Sequence, residues 1–244
     1  MRFKNRGARP TTRPVIAFAA CVARPEVFAA CALPGLRRAM EPGSPFAELT
    51  TSTSIHEAYN EALEHFAAVD GLEALVLLHE DVELLHPRFG AKVRAALADP
   101  SVAVVGAIGA RGVRSLAWWE GEGAGCVDET RGRIDHGFAR TDVDAVDGLL
   151  LVLSPWAVRE LRFDTATYTG FHAYDVDLCF AARAAGRRVV VADLPLVHHT
   201  KGGYGDRAAW DAANAAFIAK WAPSADAPAG PDRAAPAPGC PAAA

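Results

Sequence analysis

The chain has 244 residues, 51% of them hydrophobic and 22% charged, enough for one sizeable core and, on length, one domain with or without an appendage. A net charge of −4 with no dominant basic face excludes a general nucleic-acid binder. The longest apolar run, "GLLLVLSPWAV", contains Pro155 and is too short to cross a bilayer, so no transmembrane segment is expected.

The chain opens with "MRFKNRGARPTT", basic and without periodicity, which reads as a flexible arm over 1–13. Such an arm can touch an anionic membrane surface, but a solvated terminus is the simpler reading. No charged stub followed by an apolar stretch is present, so no secretory leader is expected. "PVIAFAA" reads as a strand, and "RPEVFAACALPGLRRAM" as a helix opened by Pro25 and interrupted near Pro34. "AELTTST" is a β-branched second strand. Ser54 and Glu57 form an S-x-x-E capping box for a helix that puts Ile55, Tyr59, Ala62 and Phe66 on one face. "ALVLL" is short and continuously apolar, as a strand buried on both faces must be. Pro87 opens a helix with Phe89, Val93 and Leu97 inward, and "VAVVG" is a fourth strand. Strand–helix alternation of this kind predicts an α/β fold, with a mostly parallel central sheet covered by helices on both faces.

The second half changes character. "RSLAWWEGEGAG" and "DETRGRIDHGFARTD" are rich in Gly, charge and aromatics and read as long functional loops or hairpins. "VDAVDGLLLVLSPWAVREL" gives a strand and a short helix. The stretch from Phe163 to His199 gives a loop, a helix ended by Gly186, and a strand. Residues 223–244 are Ala/Pro-rich with almost nothing large to bury and are expected to be disordered, leaving a single domain over 14–222. Cys21, Cys31, Cys126, Cys179 and Cys240 lack C-x-x-C spacing and read as reduced thiols, which suits the cytoplasm.

Three clusters could carry chemistry. The buried strand before position 79 ends abruptly in His79, Glu80 and Asp81; Tyr174, Asp175 and Asp177 open a helix; His198 and His199 precede "TKGGYG", whose Lys201 meets either phosphate or water. In parallel sheets ligands sit outside the carboxyl ends of the strands, where the first cluster falls. Hard cations take carboxylate oxygens and Mn²⁺ also accepts imidazole, so an acid and a histidine with open positions suit a metal that serves its substrate. Each cluster has a plain structural reading as well. Asp81 can lead into a turn, Asp175 can cap a helix, and the two histidines can be one buried and one exposed. Glu80 and Asp177 are expected to point away from Asp81 and Asp175, by strand alternation and helix geometry.

Taken together, "VIAFAACVARPE", "HEAYNEAL", "VLLHEDVELL", "DAVDGLLLVL", "FDTATYTGFHAYDVDLCFAARAAGRRV" and "VHHTKGG" resemble, in order and spacing, the GT-A-type glycosyltransferases of family 2, and most closely their short bacterial glycosyltransferase-like branch. The resemblance implies a Rossmann-like nucleotide-diphospho-sugar transferase fold and a nucleotide-sugar-dependent transferase using Mn²⁺ or Mg²⁺. In that family a D-x-D motif meets the diphosphate through the metal. Here His79 stands at its first Asp and Asp81 at its last. The family's E-D pair supplies the catalytic base; here Tyr174 replaces the Glu and Asp175 keeps the Asp. A late metal-site histidine matches His198 or His199, with His198 preferred for its spacing to Thr200 and the glycines.

The resemblance further implies donor contacts from Ala19, Ala20, Cys21, Asp81, Asp147, Gly148 and Lys201. Glu80 joins them by place, although its side chain is expected to point away. An acceptor (small molecule, glycan or peptide) would meet Trp118, Trp119, His172 and Tyr174; for the tryptophans a core role is an equal alternative. Asp175 would take the acceptor hydroxyl's proton as that oxygen attacks the anomeric carbon, so displacement inverts it. A nucleotidyltransferase ranks lower, because "AACVARPEVF" lacks a Gly-rich basic phosphate loop. The altered D-x-D keeps a non-catalytic nucleotide-sugar binder as the other alternative.

Overall fold

Continuous apolar runs are stable as strands only where both sheet faces are covered, and this requirement organises the chain. The computed structural model describes residues 2–3, 14–50, 53–139, 141–203 and 205–222. Its first half runs β1 (Arg2–Phe3), β2 (Val15–Cys21), α1 (Pro25–Ala30), α2 (Ala32–Ala39), β3 (Phe46–Leu49), α3 (Ile55–Ala67), β4 (Leu72–His79), β5 (Val82–Leu84), α4 (Phe89–Ala96) and β6 (Val102–Gly106). The second half runs β7 (Ile108–Arg111), a 3-10 turn (Trp118–Glu120), β8 (Glu122–Glu129), β9 (Gly132–Gly137), β10 (Asp142–Val143), β11 (Ala145–Val146), β12 (Leu150–Leu153), α5 (Pro155–Glu160), α6 (Tyr174–Ala184), β13 (Arg188–Val191), β14 (Leu196–His198) and α7 (Arg207–Trp221).

The larger sheet has the order β1-β3-β2-β4-β12-β6-β13-β10. β3, β2, β4, β6 and β13 all run one way, and β12 enters antiparallel between β4 and β6. Every residue from Ala74 to Leu78 is fully buried, which requires cover on both faces. α3 and α5 pack on each other and on the central strands, while α6 lies against β13 and β11. The smaller sheet has the order β11-β7-β8-β14-β5, with β9 paired to β8. Among the described residues the chain passes between the sheets within a few residues at β4 to β5, β6 to β7, β10 to β11, β11 to β12 and β13 to β14.

Local chemistry explains the element ends. Ser54 Oγ accepts from the Glu57 backbone N–H at 3.4 Å, and Ile55, Tyr59, Ala62 and Phe66 are buried below it. Ser154 caps α5 in the same way, with Pro155 in its first turn. Gly186, at φ 74°, turns the chain out of α6 in a conformation that favours glycine. The expected interruption near Pro34 falls instead at Cys31. A new helix starts at Ala32, so Pro34 sits in a first turn whose N–H groups need no helical partner. The expected final strand divides into β13 and β14, which belong to different sheets. The 1–13 arm beyond Arg2–Phe3 and the 223–244 tail lie outside the described residues.

α7 is an element that hydrophobic periodicity did not announce, since alanine dominates it and only Ala213 and Phe217 are buried. Asp177, 3% exposed, fastens its far end. The Asp177 carboxylate accepts from Tyr168 Oη at 3.1 Å, Trp221 Nε1 at 2.7 Å and Lys220 Nζ at 2.8 Å. Asp177→Ala should therefore cost about 2–3 kcal/mol in urea unfolding, less than a fully buried pair because Lys220 is partly solvated and keeps Asp164. Hydrogen exchange should show the loss concentrated in α7; a change under about 0.5 kcal/mol would contradict the anchoring role.

Candidate active site

The step from β4 to β5 spends two residues, Glu80 and Asp81, in crossing between the sheets, and their side chains part. Glu80 Oε2 accepts from the backbone N–H of Ala23 at 2.8 Å and of Arg24 at 2.7 Å, and Oε1 pairs with Arg24 Nε at 2.6 Å. It is buried, and its carboxylate holds the loop after β2. Asp81 turns the other way. Its Oδ1 lies 3.4 Å from His198 Nε2, and its Oδ2 is 4.0 Å from Arg24 Nη2.

His79, Asp81 and His198 together offer one imidazole or carboxylate atom each, all within 4.8 Å of one another. β14 brings His198 there by pairing antiparallel with β5, opposite Val82. His199, the next residue, faces away by strand alternation and meets Glu83 Oε2 at 3.2 Å, so it does not join the cluster. Burial, and then His198, push the His79 imidazole below its ordinary pKa. Burial alone would raise Asp81, but the His198 hydrogen bond and the two imidazoles bring it below the usual carboxylate value. Burial opposes a charge on His198 as well, yet its bond to Asp81 and the Asp81, Asp147 and Glu129 charges carry it above the ordinary histidine value.

The turn between β11 and β12 faces this cluster. Gly148 packs directly on Tyr174: a Cβ at position 148 would fall 2.1 Å from the Tyr174 oxygen. Tyr174 Oη in turn stands 2.5 Å from His79 Nε2. Tyr174 is 6% exposed, a buried partner of His79. Asp175 Oδ2 accepts from the Gly148 N–H at 2.8 Å. Asp175 is not the helix cap: Ala173 holds that position, with a left-handed φ of 73° that is costly for a residue with a Cβ. Burial, and then the charge of Asp147, push the Asp175 carboxyl up to about 7, even though Val176 and Gly148 N–H groups favour its ionised form.

The remaining candidates scatter. Ala19 and Ala20 are fully buried and their side chains serve the core, while Cys21, half-buried at the end of β2, pairs in register with His79. Asp147 Oδ1 accepts from the Leu149 N–H at 2.9 Å, closing the turn around Gly148. Lys201 is exposed. Trp118 is 8% exposed and belongs to the core, whereas Trp119 is 45% exposed and lies 6.4 Å from the Trp210 ring. The His172 carbonyl accepts from His56 Nε2 at 2.9 Å, and its ring bonds the Asp206 backbone at the start of α7. Sequence reading missed Glu129, whose Oε1 lies 3.6 Å from His198 Nδ1. That approach is created by parallel pairing of β8 with β14, across nearly seventy residues that give no local signal.

The His79, Asp81 and His198 donor atoms lie at strand ends, where ligands of α/β sheets sit. A model of the glycosyltransferase-like family matches residues 17–220, and the chain belongs to that family. The chain is 34% identical over 196 residues to the streptomycin biosynthesis protein StrF of Streptomyces griseus, covering 77% of this chain and 68% of that protein. Among solved structures it resembles GalNAc-T7 with UDP, GalNAc and Mn²⁺ (TM-score 0.56, 9% identity, 79% of this chain and 45% of that one). It also resembles the mannosyltransferase PcManGT of Pyrobaculum calidifontis in complex with GDP-Man and Mn²⁺ (TM-score 0.51, 16% identity, 84% of this chain and 62% of that one). At these identities the structural likeness establishes the GT-A fold.

The raised Asp175 carboxyl has a consequence for stability. The folded protein keeps this proton up to about pH 7, whereas the unfolded chain releases it near the ordinary value of 3.8. Stability is therefore lost as pH rises through that window. Asp175→Asn should melt higher than the parent at about pH 8, with the gap closing below about pH 4. A gap independent of pH would mean that the carboxylate is not held against its ionisation.

Proposed function

We propose that the protein moves a sugar from a nucleoside-diphosphate sugar to an acceptor hydroxyl with inversion, using a divalent cation held by His79, Asp81 and His198. The observation that carries this reading is the convergence of three donor atoms within 4.8 Å at the strand ends, with Asp175 next in the chain to the Tyr174 that bonds His79. The donor set fits a cation: two imidazoles and one carboxylate suit Mn²⁺ better than Mg²⁺, which prefers oxygen. Such a cation would neutralise the charge that develops on the departing nucleoside diphosphate.

The chain's own groups do the rest. Asp175, fixed by the Gly148 N–H, accepts the acceptor hydroxyl's proton at Oδ1 or Oδ2 while that oxygen bonds to the anomeric carbon and the bond to the diphosphate breaks. A carboxyl of pKa about 7 is matched to this task at neutral pH. Tyr174 has no carboxylate to offer and serves instead to hold His79. Exposed Trp119 supplies an aromatic face for an acceptor ring, and Lys201 a mobile charge for phosphate. Support comes from the two solved transferases, each holding Mn²⁺ with a nucleotide or nucleotide sugar. The relative's part in streptomycin biosynthesis favours a small-molecule acceptor over a glycan or peptide.

Melting the protein with UDP and with GDP, in MnCl₂ and in EDTA, tests the cation. At a ligand concentration 100-fold above Kd the gain is about 2.7 kcal/mol, and it should vanish in EDTA and in Asp81→Asn. An equal shift in EDTA would refute the cation bridge. Asp175→Asn should keep the nucleotide shift but lower turnover on the order of 10²–10⁴-fold. Undiminished sugar transfer by that variant would remove Asp175 from the chemistry.

A further inference from the structure

His198 Nδ1 is a buried polar atom with no hydrogen-bond partner among the described residues. Glu129 Oε1 stands 3.6 Å from it, just beyond hydrogen-bond length. Asp81 Oδ1 stands 3.4 Å from the other ring nitrogen, Nε2. Two carboxylates thus face opposite nitrogens of one imidazole, with Asp81 on the side of His79 and Glu129 behind.

Glu129 is held for this position. It is 10% exposed, and its Oε2 accepts from Arg131 Nη2 at 2.7 Å, which leaves Oε1 turned to the histidine. The partly exposed Arg131 guanidinium lies over Gly202, where a Cβ would fall 2.6 Å from it. Between them Thr130 ties the hairpin to the histidine segment. Its N–H donates to the His198 carbonyl at 3.3 Å, and its Oγ1 donates to the Thr200 carbonyl at 2.8 Å. The β8–β9 turn is therefore tied to the segment that ends β14.

We propose that Glu129 is a positioning residue that orients His198 for a divalent cation, with Arg131 holding Glu129 in place. The inference rests on the cation reading of the preceding subsection. A neutral imidazole carries one N–H and one lone pair. A carboxylate behind Nδ1 keeps the N–H there and aims the Nε2 lone pair at the cation side, beside Asp81. Carboxylates in this relation to a ligating histidine fix its tautomer and raise its basicity, and their loss typically weakens metal binding by about 10–100-fold. Glu129 touches neither the cation nor the substrate; it acts through His198.

The test uses the full chain and Mn²⁺ alone, with free Mn²⁺ read by electron paramagnetic resonance. Glu129→Gln should weaken Mn²⁺ binding by about 10–100-fold while leaving melting in EDTA close to that of the parent. In a His198→Ala background the same change should add no further loss, because its route runs through the missing imidazole. If Glu129→Gln does not fold, Glu129→Asp keeps the charge but withdraws it by a methylene, and a smaller loss in the same direction is expected. Parent-like Mn²⁺ affinity in Glu129→Gln would overturn the positioning role, as would an equal loss with and without His198. Failure of the parent itself to bind Mn²⁺ would instead overturn the cation reading, and this inference with it.

Discussion

The constraint on which this site depends is the passage of strands from one sheet to the other within a few residues. Strands buried on both faces tolerate no unpaired polar groups. At the crossings the ladders are interrupted, and single bonds between neighbouring crossings take over: His79 N–H to the Leu149 carbonyl, Asp147 N–H to Ile108, Ala192 N–H to Gly106. These bonds satisfy the backbone and leave side chains at the crossings to meet one another. His79, Asp81 and Asp147 belong to such crossings or border them, and β14 carries His198 from its own crossing back to Asp81.

Neighbouring residues at the crossings divide the work. Of Glu80 and Asp81, one ties down the β2–α1 loop and the other faces His198. Of Asp175 and Asp177, one faces the Gly148 turn and the other fastens α7. Of His198 and His199, one joins Asp81 and the other reaches Glu83. In each pair a carboxylate or imidazole that builds the frame sits within two residues of one that faces the opening. The frame is rigid because its acids are saturated with donors, and a rigid frame is what holds reacting groups in a productive geometry.

The opening is held under strain. Ala173 takes a left-handed backbone, Gly148 allows Tyr174 closer than any Cβ would, and Asp175 is kept from easy ionisation. Each feature costs folding free energy. They cluster at one helix mouth, as strain does where structure is tuned for chemistry.

Much was legible in the sequence because short-range physics governs it. Apolar continuity marked β4 and β6, the Ser54 cap and its periodicity marked α3, and the order of motifs from "VLLHEDVELL" to "VHHTKGG" carried the family. Glu80 and Asp81 part within the turn that joins β4 to β5. α7 escaped, because alanine gives a helix little periodic contrast and its attachment runs through Asp177 to Lys220 and Trp221. Whether His198 or His199 meets Asp81 was decided by how β14 registers on β5, and the approach of Glu129 by how β14 lies beside β8. Tyr174 packs on Gly148 and bonds His79, two residues from distant parts of the chain. The sequence by itself determined most of the first-half elements, the family and the residue types at the site, since each of these is written within one strand, helix or motif. Which of those residues meet was decided by tertiary structure alone, because strand register between distant segments is set by packing of the whole core and leaves no mark in either segment.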